Sequence, residues 1–353
     1  MAEKVITIAE KVMTMVYCNQ MKKQGGDFAV KGKVLFENIR NRRLEVEFTQ
    51  QDLANTSGLS LSLIKAIETG RSESGRENIE KISAALGVAI DDIYIGDYRE
   101  TKVVSIANNK GGSGKTSVVA GLGYALAEKG YKILFVDGDA QFNLSYSLGM
   151  NLSPENSLNH AIINENSLMG YIQRTAYDNM DIIVSDFDMA LIEMKLFTKV
   201  MRESVMRKIL EPVVEAGIYD FILIDTNPTL GILNFNILNA SDYVIIPVEL
   251  SSFGIIGLNT IKNYINEIRT FNRNLELAGV LMNKVDKRES ITDDAQDVLE
   301  QTFGEIVFKS YISVDTNIKK AQWDRQPLDL FNRNSRATKQ FKSFAEEVIR
   351  IVK

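Results

Sequence analysis

The chain has 353 residues, of which 45% are hydrophobic and 25% are charged, so a disordered or collagen-like protein is excluded. One cysteine and one histidine exclude a disulfide framework and a four-thiolate zinc site, and argue against a histidine-rich metal centre or a serine triad. The net charge of −5 argues against polyanion binding over the whole surface, although a local basic patch is compatible with it. No apolar run reaches the roughly 20 residues of a membrane-spanning helix, and charges interrupt the first 25 residues, so we expect a cytoplasmic protein.

The first 26 residues contain a helical pattern. Gly25 and Gly26 follow it and end it. We expect an N-terminal helix within residues 1–26 that packs either on a partner chain, as a dimerisation element, or on the body of its own chain. Its apolar residues recur at helical spacing and are Val5, Ile8, Val12, Met15 and Val16.

Residues 33–96 predict a small all-α domain, because short helical patterns follow one another there and no strand pattern appears. Thr49 to Asp52 has the form of a capping box that opens one helix. Gly58 interrupts the chain, and Ser60 can cap a helix that Gly70 then ends. We expect residues 96–101 to form a short linker between this domain and the next.

Residues 102–353 alternate between strand and helix patterns. The strands are continuous apolar runs, which is typical of parallel sheets covered by helices on both faces. We therefore expect a doubly wound α/β domain with a mostly parallel sheet. One long helical pattern runs from Leu191 to Val214. The predicted strands are Val103–Ala107, Ile133–Val136, Phe221–Ile224, Tyr243–Ile246 and, more weakly, Val280–Met282.

A glycine-rich loop joins the first of these strands to a helix. It runs from Asn109 to Thr116 and reads NKGGSGKT. The glycines permit a tight turn that aims N–H groups at phosphate oxygens, and the helix N-terminus adds positive potential. Lys115 can reach the β- and γ-phosphates, and the Thr116 hydroxyl can ligate Mg²⁺. The expected nucleotide-binding residues are Gly111, Gly112, Ser113, Gly114, Lys115, Thr116 and Ser117.

Three acidic residues follow two of the buried strands. Asp137 and Asp139 come at the end of the second predicted strand, and Asp225 ends the third. Because the carboxyl ends of parallel strands meet at one sheet edge, these carboxylates should approach the phosphate loop. The sequence therefore predicts a nucleotide site with Mg²⁺.

Lys110 makes this loop resemble the deviant Walker A group of P-loop proteins, which includes the ParA-type partition ATPases. The resemblance implies that ATP binding forms a sandwich dimer in which Lys110 reaches the nucleotide of the partner. It further implies that Asp139 positions the attacking water, that Asp137 supports the metal region, and that Asp225 holds Mg²⁺. Asn283 falls where the family contacts adenine.

Three positions depart from the expected patterns. Asn109 replaces the first glycine of the general phosphate-loop pattern. Ala140 and Asn227 stand where the ParA-type family commonly has proline, in the segments after Asp139 and after Asp225.

The segment from residue 39 to 87 resembles the Cro/repressor helix-turn-helix family. That resemblance implies that Gln50 holds a DNA phosphate and that the helix after Gly58 enters the major groove. The side chains there are poor in groups that read bases bidentately. The module is therefore either a sequence-specific DNA-binding domain or a protein-contact domain. Its candidate DNA contacts are Gln50, Ser60, Leu61, Ser62 and Lys65.

The stretch from Lys309 to Lys342 contains eight basic residues against three aspartates, within a chain of net charge −5. Such a run is either a solvated surface or a non-specific, salt-sensitive contact with DNA phosphates. Its candidate DNA contacts are Lys319, Lys320, Arg325, Arg336 and Lys339.

The two resemblances together imply an ATPase for DNA partition, with ATP and Mg²⁺ as cofactors. The implied homodimer is nucleoid-associated and binds DNA non-specifically when ATP is bound. A centromere-binding ParB-type protein stimulates hydrolysis, and the N-terminal domain binds an operator for autoregulation. Two alternatives stay open: a nucleotide-controlled repressor without motor activity, and a MinD-like positioning ATPase. The second would need a C-terminal membrane helix, and the apolar residues there suit core packing better.

Overall fold

The computed structural model describes residues 32–353 except 73, 97, 251, 287–296, 300 and 302. The chain divides into two compact units, with the boundary between Glu100 and Thr101. The helix predicted within residues 1–26 lies outside the described residues. No helix in the described part of the chain is long and apolar enough to cross a membrane.

The first unit is a helical domain with a core of isoleucine and leucine side chains, such as Ile39, Leu53 and Ile64, that are almost fully buried. A short antiparallel pair of strands, β1 and β2, joins its two ends. The expected helical domain is confirmed, and only this strand pair was not predicted, because a two-residue strand is too short to produce a periodic pattern. Its elements are β1 Lys33–Val34, α1 Phe36–Glu45, α2 Gln50–Ser57, α3 Leu61–Glu68, α4 Arg76–Leu86 and β2 Tyr94–Ile95.

Local signals at the helix ends explain the turn between α2 and α3. Thr49 and Asp52 form the predicted capping box at the start of α2. Gly58 ends that helix with φ of +71°, a left-handed conformation that glycine adopts without strain. The Ser60 hydroxyl then accepts a hydrogen bond from Leu63 N at the start of α3.

The second unit contains a sheet of eight strands within the described residues, in the order β10-β9-β8-β3-β7-β4-β6-β5. All neighbouring strands pair in parallel except β5, which pairs antiparallel with β6. The predicted fold class is confirmed. The strands are β3 Lys102–Ile106, β4 Ile133–Gly138, β5 Gln173–Arg174, β6 Met180–Ile183, β7 Phe221–Thr226, β8 Tyr243–Glu249, β9 Glu276–Val285 and β10 Val307–Ser313.

Helices pack on the sheet and bury separate apolar clusters against it. The single helix expected from Leu191 to Val214 is two helices, α8 and α9, because residues 198–204 form turns between them. The helices are α5 Lys115–Glu128, α6 Asn143–Ser147, α7 Leu158–Asn164, α8 Ile192–Phe197, α9 Val205–Glu215, α10 Ile232–Asn239, α11 Ser252–Ile268, α12 Thr316–Trp323, α13 Leu328–Phe331 and α14 Arg336–Val352.

This topology determines where polar side chains can gather. The loops after β3, β4, β6, β7 and β8 all leave the same edge of the sheet, because these strands are parallel. The glycine-rich loop follows β3 at that edge, close to the centre of the strand order. Ligands of open α/β sheets bind at this carboxyl edge.

Candidate nucleotide site

The loop between β3 and α5 has the backbone of an anion cradle. Gly112 and Gly114 have φ angles of +76° and +86°, a backbone conformation that residues with a side chain rarely adopt. A Cβ atom on Gly114 would lie 2.3 Å from Asn283 Nδ2, so this position has no room for a side chain. The turn brings the backbone directly to the N-terminus of α5, where unpaired N–H groups favour a bound phosphate.

Two residues at the end of β9 hold this loop from outside. Asn283 Nδ2 donates a hydrogen bond of 2.7 Å to the Ser113 carbonyl, and Lys284 Nζ donates to the Gly112 carbonyl. Asn283 is buried. The structure therefore places the amide of the predicted adenine contact against the phosphate loop itself.

Lys115 is buried at the start of α5 and lines a cleft at this edge of the sheet. Burial lowers the pKa of its ammonium group, and the carboxylates of Asp225 and Asp139 partly oppose that shift. A buried cation that is poorly solvated gains most from a bound anion. This placement makes Lys115 suitable for holding phosphate oxygens.

Thr116 and Asp225 form the part of the site that suits a divalent cation. The Thr116 hydroxyl donates a hydrogen bond of 2.6 Å to Asp225 Oδ2, while Asp225 Oδ1 is buried without a hydrogen-bond partner. Burial, followed by the charge of Asp137, raises the pKa of Asp225. A hard cation such as Mg²⁺ would satisfy this oxygen and stabilise the charged carboxylate.

The described residues contain no cluster of three or more acidic, histidine or cysteine side chains that could hold a metal by themselves. Mg²⁺ commonly uses one or two protein oxygens and takes its other ligands from water and substrate phosphates. The Thr116–Asp225 pair fits that mode of binding.

Asp137 and Asp139 occupy different environments at the end of β4. Asp137 is fully buried and accepts hydrogen bonds from Ser145 N, Ser145 Oγ and Asp139 N. Burial raises its pKa to about 6, although these hydrogen bonds oppose the shift. Asp139 is half-buried and lines the cleft. Asp137 thus holds the segment after β4 in place, and Asp139 faces the space where a nucleotide would bind.

Lys110 is placed differently from Lys115. Its Nζ lies 3.1 Å from Glu249 Oε2 at the end of β8, and both side chains are more than one third exposed. Its backbone N–H donates to Asn108 Oδ1, and Asn108 Nδ2 donates to the Pro247 carbonyl. The loop is therefore anchored to β8 while the Lys110 ammonium group stays accessible.

The cleft has a volume of about 760 Å³, within the range of small-molecule sites. Helix α12 contributes Lys319, Gln322 and Trp323 to its wall. Gln322 Nε2 donates a hydrogen bond of 3.1 Å to Ser117 Oγ. The sequence analysis did not assign Gln322 or Trp323 to this site. Gln322 and Trp323 belong to no recognisable motif, and only the packing of α12 brings them to the cleft.

The candidate DNA contacts of the first unit cluster around α3. Ser62 and Lys65 are exposed and Leu61 is half-buried, whereas the Gln50 side chain donates a hydrogen bond of 2.8 Å to Glu68 Oε2. Glu68 in turn forms a buried ion pair with Arg43. In this structure the Gln50 amide therefore links α2 to α3.

The basic residues near the C-terminus have different partners and surroundings. Arg333 and Lys342 form ion pairs with Glu128, and Arg325 donates to the Met150 carbonyl. The Glu128 carboxylate offsets part of the positive charge that Arg333 and Lys342 offer to a polyanion, whereas the carbonyl contact of Arg325 only fixes its position.

The other basic candidates fall in two places. Arg336 and Lys339 line a groove of about 630 Å³ beside β10, which Glu346 and Glu347 also line. Lys319 lines the nucleotide cleft. The exposed Lys320 follows it on α12.

Comparisons with known proteins agree with this architecture. A family model described as an AAA domain matches residues 101–277, and a helix-turn-helix model matches residues 39–93. The chain is 30% identical over 249 residues to the sporulation initiation inhibitor protein Soj of Bacillus subtilis, a match that covers 70% of this chain and 98% of Soj. It is also 30% identical over 250 residues to the chromosome partitioning protein ParA of Caulobacter vibrioides, covering 70% of this chain and 94% of that protein.

A solved structure shares the fold of the second unit. Cobyrinic acid a,c-diamide synthase from Mycobacterium smegmatis with bound ADP and magnesium matches with a TM-score of 0.61 at 26% identity, covering 71% of this chain and 94% of that one. Proteins of different activity thus share this sheet, and the side chains at its edge must decide the chemistry. The relatives, the phosphate loop and the preceding helical domain together show that the chain belongs to the ParA-type family of P-loop ATPases and carries a helix-turn-helix domain before the ATPase unit.

Proposed function

We propose that the protein is a DNA-partition ATPase that forms a dimer around ATP and Mg²⁺. The observation that carries the proposal is the placement of two lysines from one loop. Lys115 is buried in the cleft of its own chain, whereas Lys110 is partly exposed and ion-paired with Glu249. In the dimer, Lys110 leaves Glu249 and reaches the triphosphate bound by the partner subunit.

Phosphoryl transfer to water depends mainly on positioning and on neutralising charge, and the cleft supplies both. Lys115 and the N–H groups at the start of α5 hold the phosphates. Asp139 orients the attacking water, and Asp137 keeps the segment after β4 in position through Ser145. Thr116 and Asp225 would hold Mg²⁺, which would neutralise negative charge on the phosphates. Asn283 supports the loop on the adenine side.

The ATP-bound dimer binds DNA non-specifically through basic side chains of the second unit. Arg336 and Lys339 in the groove beside β10 and the exposed Lys320 are the best placed of the candidates. The first unit binds operator DNA through α3, and a centromere-binding ParB-type partner stimulates hydrolysis. Soj and the Caulobacter ParA support this proposal by similarity. The cycle would associate the protein with the nucleoid.

A DNA-binding assay with ATP and with ADP tests the proposal. We expect tight, salt-sensitive binding with ATP and weak binding with ADP. Asp139→Ala should bind ATP but keep the dimer on DNA, because the attacking water is no longer oriented. Equal affinity with both nucleotides, or rapid loss of ATP from Asp139→Ala, would contradict the proposal.

The basic groove can be tested separately. Lys339→Glu should weaken non-specific DNA binding. It should also reduce the slope of log affinity against log salt concentration by about one. Lys81→Glu, on an exposed face of α4, is a matched control for a change of two charge units. A salt dependence that is the same for Lys339→Glu and the wild type would place the DNA contact elsewhere.

A further inference from the structure

The segment after β6 exposes an unusual number of large apolar side chains. Six of them, between residues 187 and 201, are 51–88% exposed. Isolated exposed apolar residues are common, but a cluster of this size marks an interaction surface. We call this cluster the apolar face; it consists of Phe187, Leu191, Met194, Phe197, Val200 and Met201.

The apolar face cannot turn inward, because the opposite side of the same segment is already buried. Met189, Ile192 and Leu196 are 0–2% exposed and belong to the core of the second unit. Interior packing leaves no space for a second set of side chains. The exposure is therefore a stable property of this segment.

The segment that carries the apolar face leaves the sheet at the same edge at which the nucleotide cleft lies. It follows β6, which is parallel to β4 and next to it, and β4 is parallel to β7. The segments that carry Asp139 and Asp225 leave those two strands at that edge. A second copy that reaches the phosphate loop must approach this edge.

A direct contact connects the apolar face to the loop after Asp225. The Glu193 carboxylate accepts hydrogen bonds from Ile232 N at 2.9 Å and Leu233 N at 3.4 Å, at the start of α10. Gly231 makes room for it, since a Cβ atom there would lie 2.2 Å from Glu193 Oε1. Glu193 lies on α8 between Leu191 and Met194. Contact at the apolar face would therefore act on the segment that connects Asp225 to α10.

We infer that the apolar face is the surface on which a second copy of this chain docks in the ATP-bound dimer, an inference that rests on the proposed function. An aromatic side chain such as Phe187 or Phe197 buries roughly 150–250 Å² when it is fully covered. Four aliphatic side chains exposed by half or more add to this area, so the apolar face offers several hundred square ångströms. That is comparable with the roughly 800 Å² per partner of a stable interface.

The charged residues of the same segment suit a symmetric partner. The exposed Asp188 and Lys195 lie among the residues of the apolar face in the sequence and carry opposite charges. In a two-fold dimer, residue i of the first copy meets residue j of the second, and residue j of the first copy meets residue i of the second. Asp188 of each copy can then pair with the partner's Lys195, which makes the surface complementary to itself.

Sedimentation of the full chain with Mg²⁺ and a slowly hydrolysed ATP analogue tests the inference. Met194→Glu and Val200→Glu each place a charge on a side chain that is 72% or 88% exposed in the single chain, so both variants should fold. Each should raise the dissociation constant of the dimer at least about tenfold, because an unpaired carboxylate is costly to bury in an apolar interface. Leu330→Glu, at a 54% exposed position of α13, is the matched control and should leave that constant unchanged.

The outcomes separate this inference from the proposed function. If Met194→Glu and Val200→Glu dimerise like the wild type, the apolar face is not the docking surface, and the proposed ATPase cycle stands. If the wild type binds the analogue but stays monomeric, the proposed dimer and this inference are both wrong.

Discussion

The ammonium group of Lys110 lies 3.1 Å from the carboxylate of Glu249, at the end of the neighbouring strand. The two residues are 139 positions apart in the sequence, and only the order of β3 and β8 in the sheet brings them together. This ion pair holds Lys110, the lysine that reaches the nucleotide of the partner subunit in the proposed dimer. Formation of the proposed dimer would therefore break one such ion pair in each subunit.

The first prediction concerns the strength of that pair. Both side chains are partly exposed, and exposed ion pairs contribute only about 0.2–1 kcal/mol. Glu249→Gln should therefore favour the ATP-bound dimer by a factor of up to about five per subunit. Sedimentation with a slowly hydrolysed ATP analogue measures this change. Weaker dimerisation of Glu249→Gln would show that Glu249 assists the dimer.

The second prediction uses Trp323, the single tryptophan of the chain. Its side chain is 82% exposed and lines the cleft together with Gly112 and Lys115. Nucleotide binding should change the environment of the indole, so a titration with ATP should give a saturable change in its emission. Trp323→Phe is the control and should give none. A wild-type spectrum that ATP leaves unchanged would place the nucleotide elsewhere.

The third prediction concerns the metal. Thr116→Ala removes the hydroxyl that bonds to Asp225 Oδ2. Because a metal ion supplies several kcal/mol of transition-state stabilisation, this variant should lose at least about two orders of magnitude in ATP turnover. Chelation of Mg²⁺ should reduce turnover of the wild type to a similar level. Thr270→Ala, at an exposed position that does not line the cleft, should retain most activity. Turnover that persists without divalent cations would contradict the assigned metal site.

The fourth prediction concerns pH and stability. Hydrogen bonds from Lys342 and Arg333 lower the pKa of Glu128 from 4.5. A carboxylate whose pKa is lowered in the folded state stabilises the fold at pH values above its unfolded-state pKa. That contribution is lost as the pH falls through the folded-state pKa. Glu128→Gln should therefore unfold more easily at pH 7, by about 0.2–1 kcal/mol, and this difference from the wild type should disappear as the pH falls through the lowered pKa of Glu128. Urea unfolding followed by the far-ultraviolet circular dichroism of the helices measures the difference.

Glu155→Gln, at an exposed position, controls for the loss of one negative charge. A difference between Glu128→Gln and the wild type that is constant from pH 7 to pH 3 would exclude the ion pairs as its cause.

Much of the fold could be predicted from short-range patterns. The apolar runs of β3, β4, β7 and β8 are each buried along nearly their whole length, so the sequence alone marks them as interior strands. The strands β6 and β10 carry polar residues such as Asp181 and Lys309, which obscure the pattern. Their pairing is determined by the rest of the sheet.

The candidate site divides in the same way. Lys115, Thr116 and Asp225 belong to local motifs, and the structure brings them together. Glu249 and Trp323 reach the site through packing between distant segments, which no local pattern records. Asn283 was expected at adenine, and its contact with the Ser113 carbonyl depends on the register of β9 beside β8.

The most direct test of the central claim is ATP turnover by Lys110→Ala, with nucleotide affinity followed through Trp323. The account predicts that affinity changes little, because Lys115 and the loop backbone still hold the phosphates. Turnover stimulated by the partner protein and DNA should fall by about 10³-fold or more, as expected when a cationic group that acts in trans is removed. Turnover equal to that of the wild type would show that no second lysine acts on the triphosphate.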